Sequence, residues 1–281
     1  MPADTSALVG IAQQVGARAL PVFLVALAGL VLCAGIAGFL THRRRLARDP
    51  ARVAPASLRR LAAAFAGGFA LILGAASLFA TIAGRIDPGN AMGLADQALA
   101  DAIAEHTSMA TLRVFALVSH LGDPLVLTLI GGVVAIFLWR RGAPLLATGW
   151  VLALGGNAVL NPLLKGVFER VRPLHDHGLA VATGYSFPSG HSSGALVVYG
   201  MLLYVGLRLL AGRWHAALAM VATAMVFTIA CSRIFLRVHF ASDVAAGLLS
   251  GLCWTGVCIA GLEFARARAR HAESQYSQKM R

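Results

Sequence analysis

Residues 19–41 read ALPVFLVALAGLVLCAGIAGFLT, without a single charged side chain. About 20 apolar residues in helical conformation cross the hydrocarbon core of a bilayer, so this stretch is long enough to span one. The same test finds residues 61–84, 142–164, 214–232 and 244–262 free of Asp, Glu, Lys and Arg. Residues 114–139 carry only Asp123, and residues 192–210 only Arg208, close enough to its end to snorkel. These lengths favour helices over buried strands, and the ten-residue alternation of barrel strands is missing. The expectation is an all-α, polytopic transmembrane bundle of seven spans.

Composition excludes the soluble alternatives. Charged residues make up 13% of the 281 positions and hydrophobic ones 58%, whereas about a quarter of a soluble domain is charged. Mean hydropathy is +0.74. The formal charge of +12 is an orientation signal, because the basic residues cluster at span ends. Sixteen of the 24 Lys and Arg fall on one predicted face and eight on the other. The richer face is expected to be cytoplasmic, with the N-terminus outside and the C-terminus inside. A nucleic-acid partner is not implied, and no obligatory protein partner is evident.

Three divisions are expected. Residues 1–60 form an accessory span and a basic cytoplasmic linker broken by Pro50 and Pro55. Residues 61–265 form a six-span core, and residues 266–281 a polar cytoplasmic tail, disordered or on the membrane surface. The N-terminus lacks the basic region of a secretion signal. Cys33, Cys231, Cys253 and Cys258 lie in apolar spans and read as small hydrophobes. Between spans two and three, residues 85–113 carry Asp87, Asp96, Asp101 and Glu105; an interfacial helix there is a candidate lid, with a solvated connector as the plainer reading. Gly247 and Gly251 are spaced for close helix packing.

The chemistry-bearing residues sit at span ends. Lys165 closes span four in the run KGVFERVRP, residues 165–173. PSGH, residues 188–191, opens span five. SRIFLRVHFASD, residues 232–243, joins spans six and seven. An even number of crossings separates these runs, so all three share one membrane face. Lys165, Arg172 and Arg233 would repel one another unless an anion lies between them, and Arg forks match phosphate oxygens. Ser189 and Gly190 stand at a helix start, whose free N–H groups favour an anion. His239 and Asp243, four apart at the start of span seven, would share one helical face. The carboxylate would then fix the tautomer and leave the other ring nitrogen free to attack. His191 is placed to protonate a leaving oxygen. The set describes phosphoryl transfer through histidine, with neither metal nor cofactor required.

These runs resemble the signature of the type 2 phosphatidic acid phosphatase superfamily, K-x6-R-P, P-S-G-H and S-R-x5-H-x3-D, with every signature residue present. The resemblance implies that His239 becomes phosphorylated, Asp243 supports it and His191 is the proton donor. It also implies that Lys165, Arg172, Ser189, Gly190 and Arg233 hold the phosphate. The expected activity is a metal-independent lipid phosphatase of a bacterial-type inner membrane, with its site on the outer face. Its expected substrate is phosphatidic acid, phosphatidylglycerol phosphate or undecaprenyl diphosphate. A lipid phosphotransferase would use the same site; a phosphate-binding transporter would treat the histidines as incidental.

Weaker candidates remain. His175, Asp176 and His177 offer metal-ligand chemistry without a fourth partner; a polar loop is the plainer reading. His120 and Asp123 are a polar contact or a proton relay, with packing against a neighbouring helix preferred. Tyr185 and Phe187 are candidates for lining a lipid-tail entrance. Arg170 and Arg237 either touch a diphosphate or face water and headgroups.

Overall fold

The computed structural model describes residues 3–46, 58–174 and 178–279. Among these residues the chain is a bundle of α-helices: α1 (Ala3–Ala17), α2 (Ala19–Leu46), α3 (Leu58–Ala83), α4 (Ala91–His106), α5 (Met109–Ser119), α6 (Pro124–Arg140), α7 (Pro144–Phe168), α8 (Gly190–Leu209), α9 (His215–Phe235) and α10 (Ala241–Lys279). Helices satisfy their own backbone groups, which lipid cannot do. Local chemistry sets several of their ends. Pro124 and Pro144 stand at first-turn positions where no N–H is needed. The Ser108 hydroxyl accepts from Thr111 N at 3.2 Å and caps α5.

Among the described residues six helices are long and apolar enough to cross a membrane, and α5 with α6, bent by 43° at their break, brings the number to seven if the pair is one span. The expected multi-pass bundle is therefore present, with one difference. The third span is not a continuous helix: it breaks at a short 3-10 turn (His120–Gly122) and restarts after Asp123. Pro124 cannot donate to the preceding turn, and Asp123 takes extended backbone angles.

Trp150, Leu138, Met201 and Ile229 are fully buried where α6 to α9 meet, whereas Val25, Val133, Leu125 and Val167 face outward. Small residues let backbones approach closely. A Cβ on Gly247 would lie 2.5 Å from Ser189 O, and one on Gly251 2.9 Å from Ser193 O. The expected close packing at these glycines is thus the seam between α10 and α8. The extra span α2 lies along α9, where a Cβ on Gly38 would meet Ala216 Cα at 2.6 Å.

Three further expectations change. The first helix, α1, had no counterpart in the sequence reading; it packs on α4, where a Cβ on Gly16 would touch Ala102 Cβ at 2.6 Å. Helix α4 is not a solvated connector, because buried Asp96 ties it to the bundle interior. The tail does not depart from helix at Arg266: α10 runs on to Lys279. Its Ala-Arg alternation is helix-forming, and Glu263 anchors it through Tyr204 and Arg208. Residues 47–57, with Pro50 and Pro55 of the basic linker, and His175, Asp176 and His177 lie outside the described residues.

Candidate active site

The C-terminal ends of α5, α7 and α9 and the N-terminal ends of α6, α8 and α10 converge at one end of the bundle. Between them lies a cavity of about 850 Å³ lined by Lys165, Arg172, Gly190, His191, Arg233 and His239. Its other wall is apolar and runs between α6 and α7, past Leu127, Gly131, Trp150, Val151 and Leu154. A polar mouth with an apolar flank suits an amphiphile with an anionic head.

Each cation is held in place. Beyond the end of α7, where Glu169 adopts a left-handed φ of 46°, the chain turns back and Arg172 enters the site. Backbone carbonyls clamp its guanidinium: Nε donates to Gly184 O at 2.9 Å, Nη1 to Val238 O at 2.6 Å, and Nη2 to Thr183 O and Tyr185 O. Burial of this charge lowers the Arg172 pKa from its ordinary value. Lys165 Nζ donates to Tyr185 O. Arg233 is buried; its Nη1 donates to Ser119 Oγ at 2.6 Å, while its Nε has no hydrogen-bond partner among the described residues. The five N–H groups of Arg172 are all taken by these carbonyls and by His239 Nε2, so Arg172 offers the cavity charge, while Lys165 and Arg233 keep donor capacity for an anion.

His239 precedes α10. Its Nε2 lies 3.2 Å from Arg172 Nη1. A guanidinium only donates, so Nε2 carries the lone pair and Nδ1 the proton. That Nδ1 faces Asp243 Oδ2 at 3.5 Å, within ion-pair reach but without a formed hydrogen bond among the described residues. Burial dominates the ring's protonation, with Asp243 opposing and Arg172 and Arg233 assisting, and its pKa is pushed down to about 3. The ring is therefore neutral at physiological pH.

The His239–Asp243 pair is made differently from the expected i,i+4 helical face. Helix α10 begins only at Ala241, and the Asp243 carboxylate turns back to accept from Phe240 N at 2.9 Å. That cap folds the chain so that His239 lies over the same carboxylate. Oδ1 accepts from Arg170 Nη1 at 2.7 Å.

Arg170 is therefore not a headgroup-facing residue. It is buried, stacks on Phe240 with 4.3 Å to the ring centroid, and donates to Ser242 Oγ at 2.7 Å and to Asp96 Oδ2 at 2.9 Å. Asp96 also accepts from Ser242 N at 3.1 Å. Burial raises the Asp96 pKa, and its bonds to Ser242 and Arg170 work against that rise. Asp96 was legible only as one of four loop acids.

The P-S-G-H run builds the opposite wall. Ser189 caps α8, its hydroxyl accepting from Ser192 N at 3.4 Å and from Ser192 Oγ at 2.9 Å, and its N–H donates to Asp243 O at 3.0 Å. Its side chain is buried and does not line the cavity, unlike the other residues expected to hold phosphate. Gly190 does line it, and a Cβ there would sit 2.9 Å from Asn161 Oδ1. Gly190 and His191 open α8, where first-turn N–H groups have no intrahelical acceptor. His191 Nε2 lies 2.8 Å from Asp123 Oδ1, so the charge inside span three meets a site residue instead of merely packing. Phe187 is fully buried against Phe79 and Phe168, not at a tail entrance; half-exposed Tyr185 contributes its carbonyl to Arg172.

Comparison with known proteins identifies the family. The sequence profile of the PAP2 superfamily matches residues 144–266. Phosphatidylglycerophosphatase B of Bacillus subtilis (strain 168) is 31% identical over 171 residues, 58% of this chain and 81% of that protein. The crystal structure of a transmembrane PAP2-type phosphatidylglycerolphosphate phosphatase from Bacillus subtilis superposes with a TM-score of 0.61 at 27% identity. The match covers 68% of this chain and 96% of that one. Multi-pass and helical, with every signature residue present, the chain belongs to the PAP2 superfamily.

Proposed function

We propose that this protein is a membrane lipid phosphatase that cleaves a lipid phosphomonoester or diphosphate through a phosphohistidine on His239. The observation that carries the reading is the neutral His239 ring, its lone-pair nitrogen at the cavity wall beside Arg172 and its other nitrogen turned to Asp243. The similarity to phosphatidylglycerophosphatase B of Bacillus subtilis puts phosphatidylglycerol phosphate first among the substrates. Phosphatidic acid and undecaprenyl diphosphate share the chemistry of that headgroup.

The steps follow from the positions. A phosphate seated among Lys165, Arg172, Arg233 and the first-turn N–H groups at Gly190 places its phosphorus before His239 Nε2. As Arg172 Nη1 turns from His239 to the phosphate, the released lone pair forms the N–P bond, the P–O bond to the lipid breaks, and His191 gives its proton to the departing oxygen. Asp243 stabilises the positive charge left on the ring. Water then attacks phosphorus, His191 takes its proton, and the P–N bond breaks to free inorganic phosphate. Because phosphoryl transfer is chiefly positioning and charge stabilisation, the fixed cations supply most of what the step needs. Ser189 contributes by setting the start of α8.

The apolar wall between α6 and α7 receives the lipid tail. From the Arg and Lys distribution we infer that the site faces the outside of an inner membrane, with the N-terminus out and the C-terminus in. Residues 61–265 make the phosphatase core, residues 1–60 an accessory span with its linker, and residues 266–281 a cytoplasmic tail.

The test is a trapping experiment: protein incubated with ³²P-labelled phosphatidylglycerol phosphate, quenched in alkali and digested. An alkali-stable, acid-labile label on the peptide containing His239 is expected. Turnover with no protein-bound phosphate under rapid quench would refute the covalent route.

A further inference from the structure

The reaction as derived gives His239 a carboxylate partner and gives His191 none. The fold supplies one. Asp123 sits in the break between α5 and α6 and occupies the N-cap position of α6, where an Asp ordinarily accepts from its own helix's first turn. Its side chain makes no such bond. One carboxylate oxygen instead lies 2.8 Å from His191 Nε2 and the other 2.7 Å from His120 Nδ1.

The backbone around Asp123 is fixed for this contact. The Tyr199 hydroxyl, on α8, donates to Leu121 O at 3.1 Å. Gly122 lets the two segments close up, since a Cβ there would lie 3.1 Å from His191 Cδ2 and 2.5 Å from Ile229 Cγ2. Side-chain exposure rises from 17% at His191 to 36% at Asp123 and 67% at His120. The chain of contacts thus leads from the site to the protein surface, beside a second cavity of about 150 Å³ that also touches Ser119 and Arg233.

The electrostatics give Asp123 a task. With its Nε2 proton held by the carboxylate, a neutral His191 presents a bare Nδ1. To act as an acid it must carry a second proton and become an imidazolium. The groups facing it across the cavity are Arg233 from α9, Lys165 from α7, Arg172 from the segment after α7 and the neutral His239. All the charged ones are cations and oppose that second proton. Asp123 and His120 approach from the α5–α6 break, and Asp123 is the carboxylate among them. We propose that Asp123 is a positioning residue that fixes the His191 ring and holds its imidazolium, completing a second His–Asp dyad opposite His239 and Asp243. This inference rests on the reading of His191 as proton donor.

The experiment compares wild type, Asp123→Asn, Asp123→Glu, His191→Ala and the Asp123→Asn/His191→Ala double variant. The substrates are dioctanoyl phosphatidylglycerol phosphate, with a poor leaving group, and p-nitrophenyl phosphate, with a good one. Asn keeps the hydrogen-bond acceptor and removes the charge. Asp123→Asn is expected to lower kcat on the lipid about 10–100-fold, within the range of a general acid, and to cost little on the aryl ester. The basic limb of its pH profile should move to lower pH, because the imidazolium is less stable. Asp123→Glu should recover part of the lipid rate, and the double variant should be no slower than His191→Ala. Equal losses on both substrates, an unmoved basic limb, or losses that multiply in the double variant would overturn the role of Asp123 while leaving His191 as the acid. An undiminished rate in His191→Ala would remove the proton-donor reading itself, and this inference with it.

Discussion

Arg170 Nη1 donates to Asp243 Oδ1 at 2.7 Å, with both side chains buried. Through its other terminal nitrogen, Arg170 reaches Asp96 at 2.9 Å. A single guanidinium therefore joins α4, the segment after α7 and the start of α10, and the carboxylate it holds is the one beneath the candidate nucleophile. Removing it leaves two buried acids without their cation. Arg170→Ala should cost about 3–5 kcal/mol, the usual loss when one partner of a buried pair is deleted. Thermal unfolding in detergent is the check, and unchanged stability would contradict the network.

The neutral state of His239 carries a pH signature. Its folded pKa, about 3, lies below the ordinary value of about 6.5. Between those values the unfolded chain binds a proton that the folded chain does not, so this group's contribution to stability falls as pH falls through 6.5 and rises with pH. The melting temperature of the ligand-free protein in detergent should drop from pH 7.5 to pH 5. His239→Gln should show a shallower drop over that window; parallel curves would contradict a buried neutral ring.

The α8–α10 seam predicts a loss of rate from a single methyl group. In Gly247→Ala the new Cβ would lie 2.5 Å from Ser189 O, so the two helices must part and the Ser189 N–H to Asp243 O bond must lengthen. Phosphate release should fall at least tenfold, because placement errors of this size at a reacting centre are costly. Gly29→Ala meets nothing within 4 Å and should leave the rate unchanged. Equal rates in the two variants would show that the seam does not set the site.

Vanadate should inhibit in competition with the lipid, since a trigonal-bipyramidal oxyanion resembles the transferring phosphoryl group. EDTA should leave the rate intact, because the proposed phosphate clamp is Lys165, Arg172 and Arg233. Loss of activity in EDTA with recovery by a divalent cation would require a different route.

Much of the fold and site was readable from charge spacing and span parity. Uncharged runs mark the spans, and the even number of crossings between them puts Lys165, Arg172, His191, Arg233 and His239 at one end. Asp123 was visible as a costly charge inside an apolar run, but its partner, 68 positions away, was not. Asp96 and Arg170 were harder still. Burial makes them a pair, and an acid on an amphipathic connector looks the same in sequence whether it faces water or an arginine. The capping geometry of Asp243 was also hidden. An i,i+4 spacing suggests a helical face, whereas the chain enters the helix between the two residues. Ser189 shows the same limit, since a residue at a helix start can serve the cap or the ligand, and here its side chain serves the cap.

The most direct test of the central claim is inorganic phosphate release from phosphatidylglycerol phosphate by detergent-purified protein, in EDTA and without an acceptor lipid, beside the His239→Ala variant. Phosphatidic acid and undecaprenyl diphosphate run in parallel. Release by the wild-type protein that disappears in the variant is the predicted result. Undiminished release by His239→Ala would contradict the phosphohistidine mechanism, and no release from any of the three lipids would contradict the assignment as a hydrolase.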